Sequence, residues 1–95
     1  GAMRKHGRKD GNQDEIVGAL RQVGAFVQSL ASIGNGCPDL LVAYHGRTFL
    51  VEVKADKGKL TPAEAAWIAE CERIGGVSVY LVRGAEDALR TVGAI

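Results

Sequence analysis

The sequence has few cysteines and histidines and no long apolar run, and each shortage excludes a class of protein. Only Cys37 and Cys71 are present among 95 residues, so no disulfide framework is expected and a reducing, cytoplasmic setting is favoured. His6 and His45 are isolated in the sequence, which argues against structural zinc. No apolar stretch approaches the roughly 20 residues of a membrane-spanning helix, and no apolar segment follows the basic N-terminus as it would in a secretory signal.

The chain also lacks a strong net charge, although its charges are unevenly distributed. Residues 1–9 carry four basic side chains and no acid, which leaves eight basic and eleven acidic side chains in the remainder. The body is therefore not an obvious polyanion binder. If the protein acts on nucleic acid, the basic arm and a bound divalent metal must offset the negative charge of the body.

Length and composition indicate a single domain preceded by a short arm. The chain is 46% hydrophobic over 95 residues, which is enough for one core and too short for two domains. Gly1 and Ala2, before Met3, resemble the remnant of a cleaved expression tag. Residues 1–11 are therefore expected to be a flexible basic arm that is partly tag remnant, and residues 12–95 are expected to be one folded domain.

Periodicity and turn residues predict an α/β protein. Helical spacing of apolar residues and capping residues mark the helices, while short β-branched runs bounded by glycine mark the strands. The predicted elements are a helix over 13–23, strands over 25–31, 39–44 and 48–54, a helix from Thr61 to Gly75, a buried strand over 77–82 and a short helix over 86–92. Because helices that separate strands must cover the faces of a sheet, a mixed sheet flanked by helices is expected.

The residues that carry chemistry lie in the predicted hairpin. Asp39 begins one strand, and the other strand contains Glu52 and Lys54, which share a face because side chains alternate along a strand. Charges in an otherwise apolar strand are costly unless they are paired or hold a metal. A structural salt bridge is the alternative. These charges occur together with a glycine-rich segment and Pro38 directly before Asp39, and this combination favours a catalytic site over a salt bridge.

Two carboxylates brought together across a hairpin repel each other, and a divalent cation relieves this repulsion. Magnesium prefers six oxygen ligands and retains several waters, so Asp39, Glu52, the carbonyl of Val53 and waters would complete its shell. Such a metal polarises a phosphate and lowers the pKa of a bound water. Lys54 would position that water or offset developing charge. The pattern therefore predicts Mg²⁺-dependent hydrolysis.

The same residues resemble a known nuclease signature. Pro38-Asp39 followed by Glu52-Val53-Lys54 resembles the PD-(D/E)XK signature. More narrowly, four segments resemble the VRR-NUC family (virus-type replication and repair nuclease domains) in its minimal stand-alone form found in phages. These segments are Asn12-Gln13-x-x-Ile16-Val17, Gly36-Cys37-Pro38-Asp39-Leu40-Leu41-Val42, Glu52-Val53-Lys54, and Leu60-Thr61-Pro62 followed by Trp67. The resemblance covers about residues 10–90.

The resemblance implies a fold, an activity and an assembly. The fold would be a restriction-endonuclease-like αβββαβ core with a short additional C-terminal helix. Such proteins are similar to Holliday-junction resolvases, act as homodimers and require magnesium or manganese. Carried across, Asp39 and Glu52 would hold metal, Lys54 would assist the water, and Glu15 would supply an additional acid. A phage-encoded protein would work in the host cytoplasm.

Glu15 and Glu64 can each be interpreted either as site residues or as helix caps. Asn12 and Glu15 also fit a capping box, in which Glu15 only accepts a hydrogen bond from the Asn12 backbone. The family usually has glutamine where Glu64 stands, one residue after Ala63. Thr61 and Glu64 again fit a capping box, so Glu64 is either a further site residue or only a helix cap.

The candidate DNA contacts are basic residues in the arm, in loops and at strand ends. They are Arg4, Lys5, Arg8, Lys9, Arg47, Lys57, Lys59 and Arg83. Solvated surface charge is the alternative for each of them. Trp67, the only tryptophan, has helical spacing with Cys71 and Ile74, which indicates a core residue rather than a platform for base stacking.

The function expected from these residues is structure-specific endonuclease activity on branched DNA, such as four-way junctions, with no organic cofactor. A two-fold symmetric junction needs two active sites, which a short chain supplies only as a homodimer. The alternatives are a non-catalytic nucleic-acid or protein interaction module on a nuclease fold, and a DNA nicking or end-processing nuclease.

Overall fold

A computed structural model of the chain describes residues 11–95. The predicted basic arm, with its candidate DNA contacts Arg4, Lys5, Arg8 and Lys9, lies outside the described residues. Three helices and four strands are present, in the predicted order: α1 (Gln13–Gln22), β1 (Phe26–Ser29), β2 (Leu40–Tyr44), β3 (Arg47–Val53), α2 (Pro62–Gly75), β4 (Val79–Val82) and α3 (Ala85–Val92). The α/β class and the order of elements are confirmed.

The four strands form one mixed sheet in the order β1-β2-β3-β4. β1, β2 and β3 are antiparallel neighbours, whereas β4 lies parallel to β3 because α2 carries the chain back across the sheet. The predicted hairpin turns at His45 and Gly46, which both have positive φ angles, at 49° and 81°. A two-residue turn of this kind matches the twist of the flanking strands and sets their register.

The core lies on one face of the sheet, beneath α1 and α3. Side chains that alternate along the strands point towards it, and the two helices contribute one apolar stripe each. Its members are Ile16, Leu20, Ala25, Val27, Leu40, Val42, Phe49, Val51, Val53, Val82, Ala88 and Val92. The period-two alternation in β3 therefore sends Phe49, Val51 and Val53 into the core and leaves Glu52 on the opposite face.

The opposite face is more open than the sequence predicts. α2 contains no buried residue, and Trp67, Cys71 and Ile74 line a groove of about 620 Å³ instead of joining the core. The prediction that Trp67 is a core residue was wrong, because helical spacing identifies an apolar face but does not show what covers it. β4 is an edge strand with Tyr80 and Leu81 exposed, so the prediction of a buried strand was also wrong.

Within residues 11–95, no helix combines the length and the apolar character needed to cross a bilayer.

Candidate active site

Asp39 and Glu52 meet across the β2–β3 hairpin. Leu40 pairs with Val51, so continuing this antiparallel register by one residue places Asp39 opposite Glu52. One carboxylate oxygen of Asp39, Oδ2, accepts a hydrogen bond of 2.7 Å from the backbone N–H of Val53. Glu52 is only 1% exposed, and its Oε1 is buried without a hydrogen-bond partner among the described residues. The strand register thus builds a close carboxylate pair.

This pair is electrostatically strained when no cation is bound. Burial raises the pKa of Glu52 to about 8, and the negative charges of Asp39 and Glu64 act in the same direction. Burial also raises the pKa of Asp39, although the hydrogen bond from Val53 opposes this change. An unpartnered buried oxygen beside a second carboxylate is a favourable environment for a divalent cation, because the cation satisfies the oxygen and cancels the repulsion.

Lys54 brings an amine to the same place. Its Nζ lies 2.8 Å from Oε1 of Glu64 and 3.7 Å from Oε2 of Glu52. Burial alone would raise the pKa of Glu64, but the ammonium of Lys54 and the N–H of Thr61 outweigh burial, so this pKa is lowered. Glu64 is therefore a carboxylate in contact with the site lysine.

Glu64 is held in that position by the start of α2. The predicted capping box is present: the Thr61 hydroxyl accepts from the N–H of Glu64 at 3.1 Å, and Oε1 of Glu64 accepts from the N–H of Thr61 at 2.9 Å. The cap and the site contact coexist, since the same oxygen also contacts Lys54. The two interpretations of Glu64 left open by the sequence are thus compatible in one geometry.

The glycine-rich loop before Asp39 packs directly against the start of α2. Gly36 has a φ angle of 84°, and a Cβ atom on it would overlap the backbone carbonyl group of Ala63. Only glycine permits this approach. The loop that delivers Asp39 and the helix that delivers Glu64 therefore touch backbone to backbone, which places both carboxylates around Lys54.

Comparison with known proteins identifies the family. A family model described as VRR-NUC domain matches residues 8–86. The chain belongs to the VRR-NUC family. A solved structure described as "VRR_NUC domain protein" is 18% identical and superimposes with a TM-score of 0.62 over 88% of this chain and 87% of that one. At this identity the likeness shows the shared fold, which is restriction-endonuclease-like. No curated protein sequence matches the chain.

Membership of the VRR-NUC family has general consequences for function. The domain is a nuclease-family domain, which implies that it binds DNA. Nucleases of the PD-(D/E)XK type generally use divalent metal ions. Asp39, Glu52 and Lys54 are the residues of this VRR-NUC domain that match the signature, and the structure brings them together.

Glu15 does not join this group. It lies on the exposed side of α1, and residues 11–95 contain no cluster of three or more His, Cys, Asp or Glu side chains that would hold a metal ion. The physical reason is that α1 packs through Ile16 and Leu20 on the core face of the sheet, whereas Glu52 points to the other face. The structure therefore does not bring Glu15 together with Asp39 and Glu52, and a role for Glu15 as a fourth acid stays a prediction.

The alternative capping box at the start of α1 is also absent. The Asn12 side chain makes no cap hydrogen bond. Its Nδ2 instead donates to the backbone carbonyls of Lys54 at 3.3 Å and Arg83 at 2.8 Å, so Asn12 joins α1 to the ends of β3 and β4. Sequence reasoning missed this role because an asparagine before a helix has the same local pattern whether it caps or bridges.

The remaining candidate DNA contacts occupy different positions. Lys57 and Lys59 are exposed on the loop that follows Lys54. Arg47 begins β3 at the far end of the hairpin, with its guanidinium 5.0 Å from the centre of the Phe49 ring. The Nη1 atom of Arg83 donates to three carbonyls of the loop between β3 and α2. Contact with phosphate stays a prediction for all four.

Cys37 is a neighbour of the site that sequence reasoning passed over. Burial raises the pKa of its thiol, and the negative charges of Glu52 and Asp39 add to that effect. The signal in the sequence was its place two residues before Asp39. The raised pKa keeps this thiol protonated, so it adds no further negative charge to the VRR-NUC site.

Proposed function

We propose that this VRR-NUC domain is a metal-dependent, structure-specific endodeoxyribonuclease that hydrolyses phosphodiester bonds in branched DNA such as four-way junctions. The observation that carries the proposal is the meeting of Asp39, Glu52 and Lys54, with Glu52 buried and one of its oxygens unpartnered. A salt bridge built only for stability would not leave a buried carboxyl oxygen without a hydrogen bond.

The residues present fit a hard divalent cation, Mg²⁺ or Mn²⁺. Asp39 and Glu52 would hold it through carboxylate oxygens, which such cations prefer. The backbone carbonyl of Val53 is a candidate third ligand. It points to the same side as the Val53 N–H that donates to Asp39, because the β4 side of the strand is occupied through the N–H of Lys54. When bound, the cation would polarise the phosphate and lower the pKa of a water molecule.

Lys54 would orient the attacking water and offset negative charge that develops on the phosphate. Glu64 fixes the position of its amine through a contact of 2.8 Å. Glutamine at this position would leave the site with one negative charge fewer, so the carboxylate of Glu64 makes the site more dependent on bound cation. Lys57 and Lys59, exposed on the adjoining loop, would contact DNA phosphates and add to the salt dependence of binding.

A four-way junction fits a chain of this size only if two copies act together. Paired incisions need two active sites at a fixed separation, and each chain supplies one, so a symmetric homodimer is the simplest assembly. The two-fold symmetry of the substrate would then be matched by the two-fold symmetry of the enzyme. The net negative charge of the described body makes cation binding a condition for close approach to DNA.

The test is cleavage of a substrate panel by matched variants. Linear, flapped, splayed and four-way DNA are incubated with the wild-type protein in Mg²⁺ or Mn²⁺, and with Glu52→Gln, Asp39→Asn and Lys54→Ala. Each variant is expected to lower the cleavage rate by at least about 100-fold, because each removes a group that acts on the reacting phosphate. Glu70→Gln is the matched control, since Glu70 is an exposed carboxylate on α2 that pairs with Arg73.

Calorimetric titration with Mn²⁺ separates the nuclease from a non-catalytic interaction module. The wild-type protein should release or absorb heat in proportion to one site or two per chain, and Glu52→Gln should lose most of that signal. Unchanged cleavage of branched DNA by folded Glu52→Gln or Asp39→Asn would refute the proposed chemistry. Equal cleavage of all four substrates would refute the preference for branched DNA and favour a nicking or end-processing nuclease.

A further inference from the structure

The loop that joins β3 to α2 is organised around one guanidinium group. Nη1 of Arg83 donates hydrogen bonds to the carbonyls of Ala55, Asp56 and Gly58, at 2.7, 3.2 and 2.8 Å. A further hydrogen bond of 3.0 Å from the N–H of Gly58 to the carbonyl of Ala55 closes a tight turn within the same loop. A charged donor shared by three backbone acceptors holds them more strongly than neutral donors would.

Arg83 is itself fixed at the point where β4 ends and α3 begins. Its backbone N–H donates to Oδ2 of Asp87, in the first turn of α3, at 2.9 Å. Its carbonyl accepts from Nδ2 of Asn12 at 2.8 Å. Three segments distant in sequence, namely the start of α1, the loop after β3 and the start of α3, are therefore tied together through one residue.

The loop held in this way directly follows Lys54 in the chain. A Cβ atom added to Gly58 would lie 3.5 Å from Cβ of Lys54, so Gly58, whose N–H closes the turn, lies beside the stem of the lysine side chain. The backbone of Lys54 is held on both sides: its N–H donates to the carbonyl of Val82 at 3.0 Å, and its carbonyl accepts from Asn12. The position from which the amine projects is thus set by this arrangement.

We infer that Arg83 is a positioning residue for Lys54, which acts by holding the loop over residues 55–58 beside the lysine side chain. The inference rests on the proposed nuclease function for its catalytic consequence. It assigns Arg83 a role different from direct phosphate binding. Nη1 carries two hydrogens, which the three loop carbonyls share, so this atom has none left to donate to a phosphate.

Arginine is suited to this role by its geometry. The guanidinium is planar, always charged and carries five N–H donors in fixed directions. Lysine in its place would keep the positive charge but could not reproduce the same set of directions. A displacement of about 1 Å in a catalytic group lowers the rate by as much as about 100-fold, so loosening the loop is expected to affect chemistry more than DNA binding.

The experiment compares Arg83→Ala and Arg83→Lys with Arg90→Ala in the full chain. Arg90 is an exposed arginine paired with Glu86 on α3, so its removal controls for the loss of one surface charge. Single-turnover cleavage at saturating four-way DNA reports the chemical step, and KM reports binding. Arg83→Ala is expected to lower the single-turnover rate by about 10- to 100-fold with KM changed less than about twofold. Arg83→Lys should fall between it and the wild type.

Hydrogen exchange supplies a second readout that does not need activity. The amide of Gly58 should exchange at least about 10-fold faster in Arg83→Ala, because the turn opens more often, while the amide of Val53 should be unaffected. A raised KM with an unchanged rate would overturn the inference in favour of phosphate contact. Unchanged exchange at Gly58 would overturn it as well. If the wild-type protein cleaved no DNA, the proposed nuclease function would be refuted. The role of Arg83 in holding the loop would still be tested by hydrogen exchange at Gly58.

Discussion

The two faces of the sheet differ in what they bury. On the core face, α1 and α3 cover a continuous layer in which Leu40 and Val42 are completely inaccessible to solvent. On the other face, α2 buries none of its residues, and the principal buried side chain is Glu52, a carboxylate. One face therefore buries mainly apolar side chains, whereas the other buries a carboxylate beneath a helix that stays accessible to solvent.

This difference shows how a short chain divides stability and chemistry between two surfaces. Burial of apolar area is the main favourable term in folding, and here it is concentrated under α1 and α3. The charged face destabilises the metal-free fold, because buried carboxylates that repel one another are costly. The apolar face must offset that cost. Substitutions on the core face should accordingly lower stability. Substitutions of the charged residues on the other face should lower activity while changing stability less.

The largest expected difference is between apolar truncations on the two faces. Leu40→Ala removes a fully buried side chain from the core and should lower the free energy of unfolding by about 2–5 kcal/mol. Ile74→Ala, on α2, removes a side chain that is 71% exposed and should change it by less than about 0.5 kcal/mol in a monomer. Urea unfolding monitored by Trp67 fluorescence measures both. Equal losses would show that the open face contributes to the core after all.

The core face could be predicted from the sequence because its signals are local. Period-two alternation in β3 separates Val51 and Val53 from Glu52, and helical spacing places Ile16 and Leu20 on one side of α1. The hairpin, the two strands that carry Asp39 and Glu52, and the capping box at Thr61 follow from the same kind of pattern. These elements were confirmed with ends that shift by one or a few residues, as expected of fraying termini.

The second expected effect concerns Gly36, where the loop before Asp39 touches the start of α2. Gly36→Ala forces an L-residue into the left-handed region, at a cost of about 1–2 kcal/mol, and adds overlap with the Ala63 carbonyl, at about 1–3 kcal/mol more. Gly34 has a φ angle of 71° but open space around it, so Gly34→Ala should have only the first cost. Unfolding in urea gives both values, and cleavage assays should show loss of activity for Gly36→Ala alone. Similar losses for both would exclude a special role for the loop–helix contact.

The open face was harder to predict because its contacts are distant in sequence. The pairing of Asn12 with Arg83 and the contact of Gly36 with Ala63 involve segments that no local pattern connects. Glu15 shows the same limit: its spacing from Asn12 fits a family position and a capping box, whereas the structure has no capping box there and places Glu15 on the exposed side of α1. Residue type indicates which chemistry is available, but tertiary contacts decide which groups take part.

The smallest expected effect, counted per pH unit, is a change in the free energy of unfolding with pH. It comes from the buried carboxyl of Glu52 on the open face. Glu52 has a pKa raised to about 8 in the folded protein, from 4.5, so the folded state holds a proton that the unfolded state releases. Its contribution is fully present below pH 4.5 and is lost as the pH rises towards 8. The metal-free protein should lose up to about 1.4 kcal/mol of unfolding free energy per pH unit in this window.

Glu52→Gln removes the titrating group but keeps its size, so its stability should vary less between pH 6 and pH 8 and should exceed that of the wild type at pH 8. Urea unfolding in a chelator at several pH values measures the two profiles. Glu64 does not confuse the comparison, because its lowered pKa places its titration below this range. Mn²⁺ should reverse the order at pH 8, since a ligand stabilises only the protein that binds it. If the unfolding free energies of the wild type and Glu52→Gln changed with pH in parallel, the pKa of Glu52 would not be raised in the folded protein. The two faces would then differ only in how much apolar surface they bury.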